Sequence, residues 1–141
     1  MRAQTALLLL ALAAAAALPA GCDDPVYPPT MRDVAGTYTA TNFEVTTATG
    51  TTDLLAAGAE ITLVLNLNGT TAGRLFVPGG NDDGSDLDAD LTGTWSVASW
   101  DVHLQHSADT FLRDITLTWD DGTLTASETF GGARIDVVLR R

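Results

Sequence analysis

Apolar and polar residues alternate along most of the chain after residue 33. Between positions 61 and 67, Ile or Leu occupies every second position, and the stretches 91–97 and 115–119 repeat this alternation. A period of two places successive side chains on opposite faces of a strand, so that one face is buried and the other meets water. The pairs Asn68-Gly69 and Asp121-Gly122 are strong hairpin signals. The pattern therefore predicts antiparallel strands joined by short turns.

Eight segments of this kind follow one another, and no amphipathic helical stretch separates them. We predict an all-β domain, an eight-stranded antiparallel meander that closes as a small up-and-down barrel, because closure removes the exposed edges of a sheet. A two-sheet β-sandwich is the alternative. Residues 52–60 are the one candidate for a helical turn or a lid. The predicted strands are 34–46, 60–68, 71–77, 91–98, 100–105, 111–119, 123–130 and 133–140.

The N-terminal stretch has a different pattern. Arg2 supplies a positive charge, and residues 6–18 are all Ala or Leu. This run has the length of a signal-peptide core, about 7–15 residues, and falls short of the ~20 residues of a membrane-spanning helix. Small residues then precede Cys22, the only cysteine of the chain. The sequence Leu-Pro-Ala-Gly-Cys at 18–22 resembles the lipobox of bacterial lipoproteins.

That resemblance implies a helical signal peptide over 1–21, its removal, and acyl chains on Cys22. Several acyl chains, at about 0.8 kcal/mol per buried methylene, make such an attachment effectively permanent. Residues 22–32 then form a Pro-rich tether and residues 33–141 the β domain. The partner implied is a membrane of the bacterial cell envelope, with the domain on the periplasmic face of the inner or outer membrane.

Two Gly-x-aromatic motifs resemble lipocalin-like lipoproteins: Gly-Thr-Tyr at 36–38, where lipocalins have Gly-x-Trp on the first strand, and Gly-Thr-Trp at 93–95. The resemblance implies a lipocalin-like barrel that holds a small apolar ligand. It also implies a late-strand arginine, Arg134 or Arg140, packed over the first-strand aromatic. Aromatic side chains equally fill a barrel that has no ligand. The candidate ligand-binding residues are Tyr38, Phe76, Trp95, Trp119 and Phe130.

The charge balance is strongly acidic. The chain has 18 acidic and 7 basic residues, a net charge of −11, and every basic residue is an arginine. An acidic surface repels phosphate backbones, which argues against a nucleic-acid partner. The acids concentrate in 81–90, where the regular calcium-loop motif is absent and a solvated loop is the alternative to a weak calcium site. The candidate calcium ligands are Asp82, Asp83, Asp86, Asp88 and Asp90.

No catalytic motif of the G-x-S-x-G or H-E-x-x-H type is present, and we expect a non-enzymatic protein without a cofactor. His103 and His106 point to opposite faces of one strand, so they can share a metal only where a bulge intervenes, and we expect both at the surface. Three functions stay open: an apolar-ligand carrier, a structural or interaction lipoprotein with a packed barrel that contacts an envelope protein, and a weak calcium-binding envelope protein.

Overall fold

A computed structural model describes residues 26–141. Two one-turn helices are present, α1 (Met31–Val34) and α2 (Phe111–Asp114). The strands are β1 (Gly36–Thr47), β2 (Gly50–Asp53), β3 (Glu60–Leu65), β4 (Thr70–Val77), β5 (Leu87–Asp90), β6 (Gly93–Ala98), β7 (Asp101–His106), β8 (Leu117–Asp120), β9 (Thr123–Phe130) and β10 (Ala133–Arg140).

Eight of these strands close into an antiparallel barrel. Strands β1, β3, β4, β6, β7, β8, β9 and β10 each pair with the next, and β10 pairs back with β1 over seven residue pairs. The two extra strands lie outside this ring, β2 against β1 and β5 against β4. The predicted all-β up-and-down barrel is therefore confirmed, and the sandwich is not formed.

The hairpin signals mark real turns. Asp121 and Gly122 both have positive φ, 39° and 79°, which is the geometry of the tight turn that Asp-Gly favours. The Asn68-Gly69 turn is longer than expected, because β3 ends at Leu65 and four residues connect it to β4. Leu67, predicted inside the strand, is 63% exposed at the tip of this turn.

Three further expectations about segments are wrong in part. Residues 111–114 form α2 and not a strand, because Leu112 and Ile115 are both buried and their spacing of three suits a helical turn. The predicted first strand starts later, since Val34 ends α1 and β1 begins at Gly36. Residues 52–60 contain the end of β2 and a series of turns over 54–58.

The helices lie at opposite ends of the barrel. We call the half that contains α1 and the turns at 66–69, 99–100 and 121–122 the α1 end. The other half, with α2, the loop at 78–86 and the turn at 131–132, is the α2 end. Inward side chains of all eight barrel strands form one apolar core between these ends.

Candidate functional site

The α1 end is closed by a hydrogen-bonded aromatic pair. Tyr38 is fully buried, and its hydroxyl donates to the backbone oxygen of Val34 at 2.5 Å. The same hydroxyl oxygen accepts a hydrogen bond from Nε1 of Trp119 at 3.1 Å. Burial raises the pKa of the Tyr38 hydroxyl, which keeps it protonated and able to donate. This pair ties α1 to two strands of the barrel.

Arg141 completes the closure. The expectation that Arg134 or Arg140 packs over the first-strand aromatic is therefore wrong. The Nη1 of Arg141 donates to the backbone oxygens of Asp33 at 2.9 Å and Ala35 at 3.0 Å, and its side-chain stem covers Gly36. Arg134 instead pairs with a carboxylate on the outer face, and Arg140 is exposed. Arg141 lies just beyond the last strand, where the two-residue pattern carries no signal.

The other aromatic candidates divide between the inside and the outside. Trp95 is 5% exposed, and its Nε1 donates to the backbone oxygen of Asn66 at 2.8 Å. Phe76 lies on the outer face, with the guanidinium carbon of Arg74 4.8 Å from its ring centre. Phe130 is partly exposed at the α2 end. Only three of the five candidates, Tyr38, Trp95 and Trp119, therefore face the barrel interior.

At the α2 end, an aromatic stack covers the interior. The Phe43 side chain on β1 is buried, and it stacks on Phe111 of α2 with ring centroids 5.3 Å apart. Leu112, the next residue of α2, is fully buried. Phe43 was not among the predicted interior residues, because it follows a bulge near residue 41 that shifts the two-residue alternation of β1.

Large apolar side chains occupy the interior between the two closures. The best-formed depressions among residues 26–141 open to solvent on the outside of the barrel. The inward side chains between the two closures form one buried apolar core. The largest fully buried side chains are Tyr38, Phe43, Ile61, Leu63, Leu65, Leu75, Leu91, Leu112, Leu117, Leu124, Leu139 and Val34.

His106 is buried, which corrects the expectation that both histidines lie at the surface. It is 7% exposed at the last position of β7, and its Nε2 lies 3.2 Å from the hydroxyl of Thr110. Its Nδ1 has no partner among the described residues. Burial, and then the positive charge of Arg113, lower the pKa of His106. The imidazole is therefore neutral at pH 7. His103 is exposed, so the prediction that the two histidines point to opposite faces is confirmed.

The barrel wall is partly open beside His106. Strands β7 and β8 pair at only two positions, Asp101 with Thr118 and Val102 with Leu117. Beyond these pairs α2 diverts the chain, and a surface depression of about 480 Å³ lies between β7 and the end of α2 with Ile115. The His106 side chain borders this opening.

Four of the five aspartates of 81–90 accept hydrogen bonds, each from a different partner. Arg74 donates two hydrogen bonds to Asp88, at 2.7 and 2.9 Å, and this contact holds the pKa of Asp88 below its usual value. Asp83, Asp86 and Asp90 accept hydrogen bonds from nearby backbone N–H groups. Within residues 26–141, no group of three or more His, Cys, Asp or Glu side chains is arranged to hold a metal ion. The sequence also did not reveal β5, whose alternate positions, Asp88 and Asp90, lie in this acidic stretch.

A polar groove of about 600 Å³ crosses the outer face of strands β8, β9, β10 and β1. Asp136 lines this groove, and it accepts hydrogen bonds from Ser127 at 2.6 Å and from Arg134 at 2.8 Å. The Ser127 hydroxyl, and then Arg134, hold the pKa of Asp136 below its usual value. Glu44 lies directly beside Asp136 in the sheet register, and it faces Asp53 on its other side. This outer surface was not predicted, because it depends on strands that are distant in sequence.

Cys22, the predicted lipid attachment site, lies outside the described residues. None of the helices in residues 26–141 has the length and apolar character needed to cross a membrane. Comparisons with protein families, curated proteins and solved structures found no match for this chain.

Proposed function

We propose that this chain is a lipid-anchored lipoprotein of the bacterial cell envelope, attached through Cys22, whose barrel acts without catalysis by contact with another envelope protein. The order of charge, apolar run, small residues and cysteine at the N-terminus supports the anchor. The filled interior is the observation that favours contact over ligand carriage. A barrel whose inward side chains already pack against one another offers binding surface only on its outside.

The anchor is tested by fractionating bacterial cells that express the chain and feeding them labelled palmitate. The wild-type chain should incorporate label and stay with the membranes, whereas Cys22→Ser should do neither. Gly21→Ala keeps a small residue before the cysteine and serves as the matched control, with label retained. A Cys22→Ser chain that remained in the membrane fraction would show that the apolar N-terminal run, and not a lipid, holds the protein.

The contact function is tested by photo-crosslinking in intact cells. Thr125 lines the polar groove on β9, whereas Thr94 is exposed on β6, outside that groove. A photoreactive residue at position 125 should give a discrete protein adduct, and the same residue at position 94 should not. No adduct at either position, in a chain that is present in the membrane, would count against the proposed contact through this groove.

A second candidate function is carriage of a small apolar ligand, and the partly open wall beside α2 favours it. Only two residue pairs join β7 to β8, so a displacement of α2 would give access to the core next to Phe43 and Phe111. Organic-solvent extraction of the protein from its native membrane tests this candidate. The control is an extract of membranes from cells that express Cys22→Ser. An apolar compound present at one molecule per wild-type chain, and absent from that control extract, would favour carriage over contact.

A further inference from the structure

The charges of residues 26–141 are distributed unevenly between the two ends. The α2 end carries three arginines and twelve carboxylates, including all five aspartates of 81–90. The α1 end is almost neutral, with three arginines and four aspartates. These seven residues are Arg32, Arg140, Arg141, Asp33, Asp101, Asp120 and Asp121. An anionic lipid surface therefore repels the α2 end much more strongly than the α1 end.

Exposed apolar side chains show the opposite distribution. Leu67, at the tip of the 66–69 turn, is 63% exposed at the α1 end. Val26 and Tyr27, which are 80% and 76% exposed, belong to the segment that leads into α1. Trp100 is half-buried in the neighbouring turn at 99–100. Phe130 is the corresponding exposed side chain at the α2 end. Leu, Tyr and Trp side chains are favourable at the boundary between lipid head groups and acyl chains.

The tether enters the domain at the same end. From Cys22 to Thr30 there are eight peptide steps, which span at most about 29 Å even when fully extended. The 66–69 turn lies beside α1, since a methyl group on Gly69 would come within 3.6 Å of the Met31 side chain. An anchor at Cys22 therefore keeps the start of α1 within about 29 Å of the lipid surface, so that Leu67 in the adjacent turn can reach it.

We propose that the α1 end is a membrane-docking face, with Leu67 in the head-group region of the bilayer and the acidic α2 end turned away from it. The proposal rests on the anchor at Cys22 proposed above. It adds an orientation, in which the 66–69 turn and Trp100 meet the lipid. The opening beside α2, on the opposite side, then faces the aqueous compartment.

The test uses tryptophan fluorescence at matched positions on a chain whose anchor is imposed chemically. The full chain is coupled through its only cysteine to a maleimide-bearing phospholipid in phosphatidylcholine vesicles, with and without brominated acyl chains, which quench nearby tryptophans. Leu67→Trp places a probe at the α1 end, and Phe130→Trp places one at the α2 end. Both replace an exposed apolar residue, so neither should disturb the core. The signal of the three native tryptophans is subtracted with the wild-type chain.

We expect brominated lipid to quench the added fluorescence of Leu67→Trp by at least twofold and to leave that of Phe130→Trp unchanged. Quenching at position 130 alone, equal quenching at both positions, or quenching at neither position would each overturn the docking face. Because the anchor is chemical, these results do not depend on whether cells acylate Cys22. The palmitate-labelling experiment addresses that question separately, so the two proposals can fail independently.

Discussion

The packed interior predicts a large cost for truncating Leu63. This side chain is fully buried on β3, opposite Tyr38 of β1 and Gly73 of β4. Leu63→Ala removes three carbon groups, which costs about 2.4 kcal/mol at ~0.8 kcal/mol per methylene. The void left behind adds a cavity cost of roughly 1–2 kcal/mol, at about 24 cal/mol per Å³. The neighbours cannot collapse readily into it, because hydrogen bonds fix Tyr38 at both sides of its hydroxyl.

We therefore expect Leu63→Ala to lower the free energy of unfolding by about 3–5 kcal/mol. The measurement is urea unfolding, monitored by tryptophan fluorescence. The slope of the unfolding free energy against urea concentration is compared between variants. Leu67→Ala is the control, and as an exposed residue it should change stability by no more than about 0.5 kcal/mol. A cost below about 2 kcal/mol for Leu63→Ala would contradict a filled interior, because a hollow or wetted interior loses only part of the transfer energy.

Four further variants test the barrel wall, the closure at the α1 end and the two histidines. Gly73→Ala should prevent stable folding, since its Cβ would lie 2.0 Å from the backbone oxygen of Thr62 at a φ of +129°; a soluble variant with native unfolding would contradict this contact. Tyr38→Phe should cost about 1–3 kcal/mol in urea unfolding, because it leaves a buried carbonyl and an indole N–H without partners. Because burial lowers the pKa of His106, stability should fall as the pH drops below 6.5, by at most about 1.4 kcal/mol per pH unit. His106→Gln should remove this loss and His103→Gln should not; an unchanged pH slope in His106→Gln would contradict the assignment.

The acid dependence of the carboxylates occupies a separate range of pH. Hydrogen bonds to Asp88 and Asp136 hold the pKa of each below the ordinary value of 3.8. Stability from these contacts is present above pH 3.8 and is lost as the pH falls through the lowered values. The loss assigned to His106 begins at higher pH, so the two contributions can be separated in one series of unfolding curves.

The barrel could be predicted because its strands and turns are specified by residues that are close together in the sequence. Most of its strands alternate apolar and polar residues, and several of its turns carry glycine or an Asx-Gly pair, so the meander follows from neighbouring segments. Strands β2 and β5 lack that signal. All four residues of β2 are exposed, and β5 alternates Leu87 and Ala89 with aspartates that also occur in solvated loops. Helix α2 was missed because four residues are too few for a helical period to stand out.

The candidate site could be predicted only in part, because it depends on contacts between distant segments. The alternation placed Tyr38, Trp95 and Trp119 correctly on inner faces, but not the hydrogen bond that joins Trp119 to Tyr38 across 81 positions. Arg141 reaches α1 across more than a hundred residues of sequence. The burial of His106 depends on α2 folding back over the end of β7. No local pattern in the sequence specifies such contacts.

We propose a lipid-anchored barrel whose filled interior carries no small molecule. Native mass spectrometry of the protein, extracted from bacterial membranes in mild detergent, tests this claim most directly. The account predicts the mass of residues 22–141 with an acylated Cys22 and nothing further bound. The mass of the uncleaved chain or of an unmodified cysteine would contradict the anchor, and an additional apolar compound at a one-to-one ratio would contradict the filled barrel.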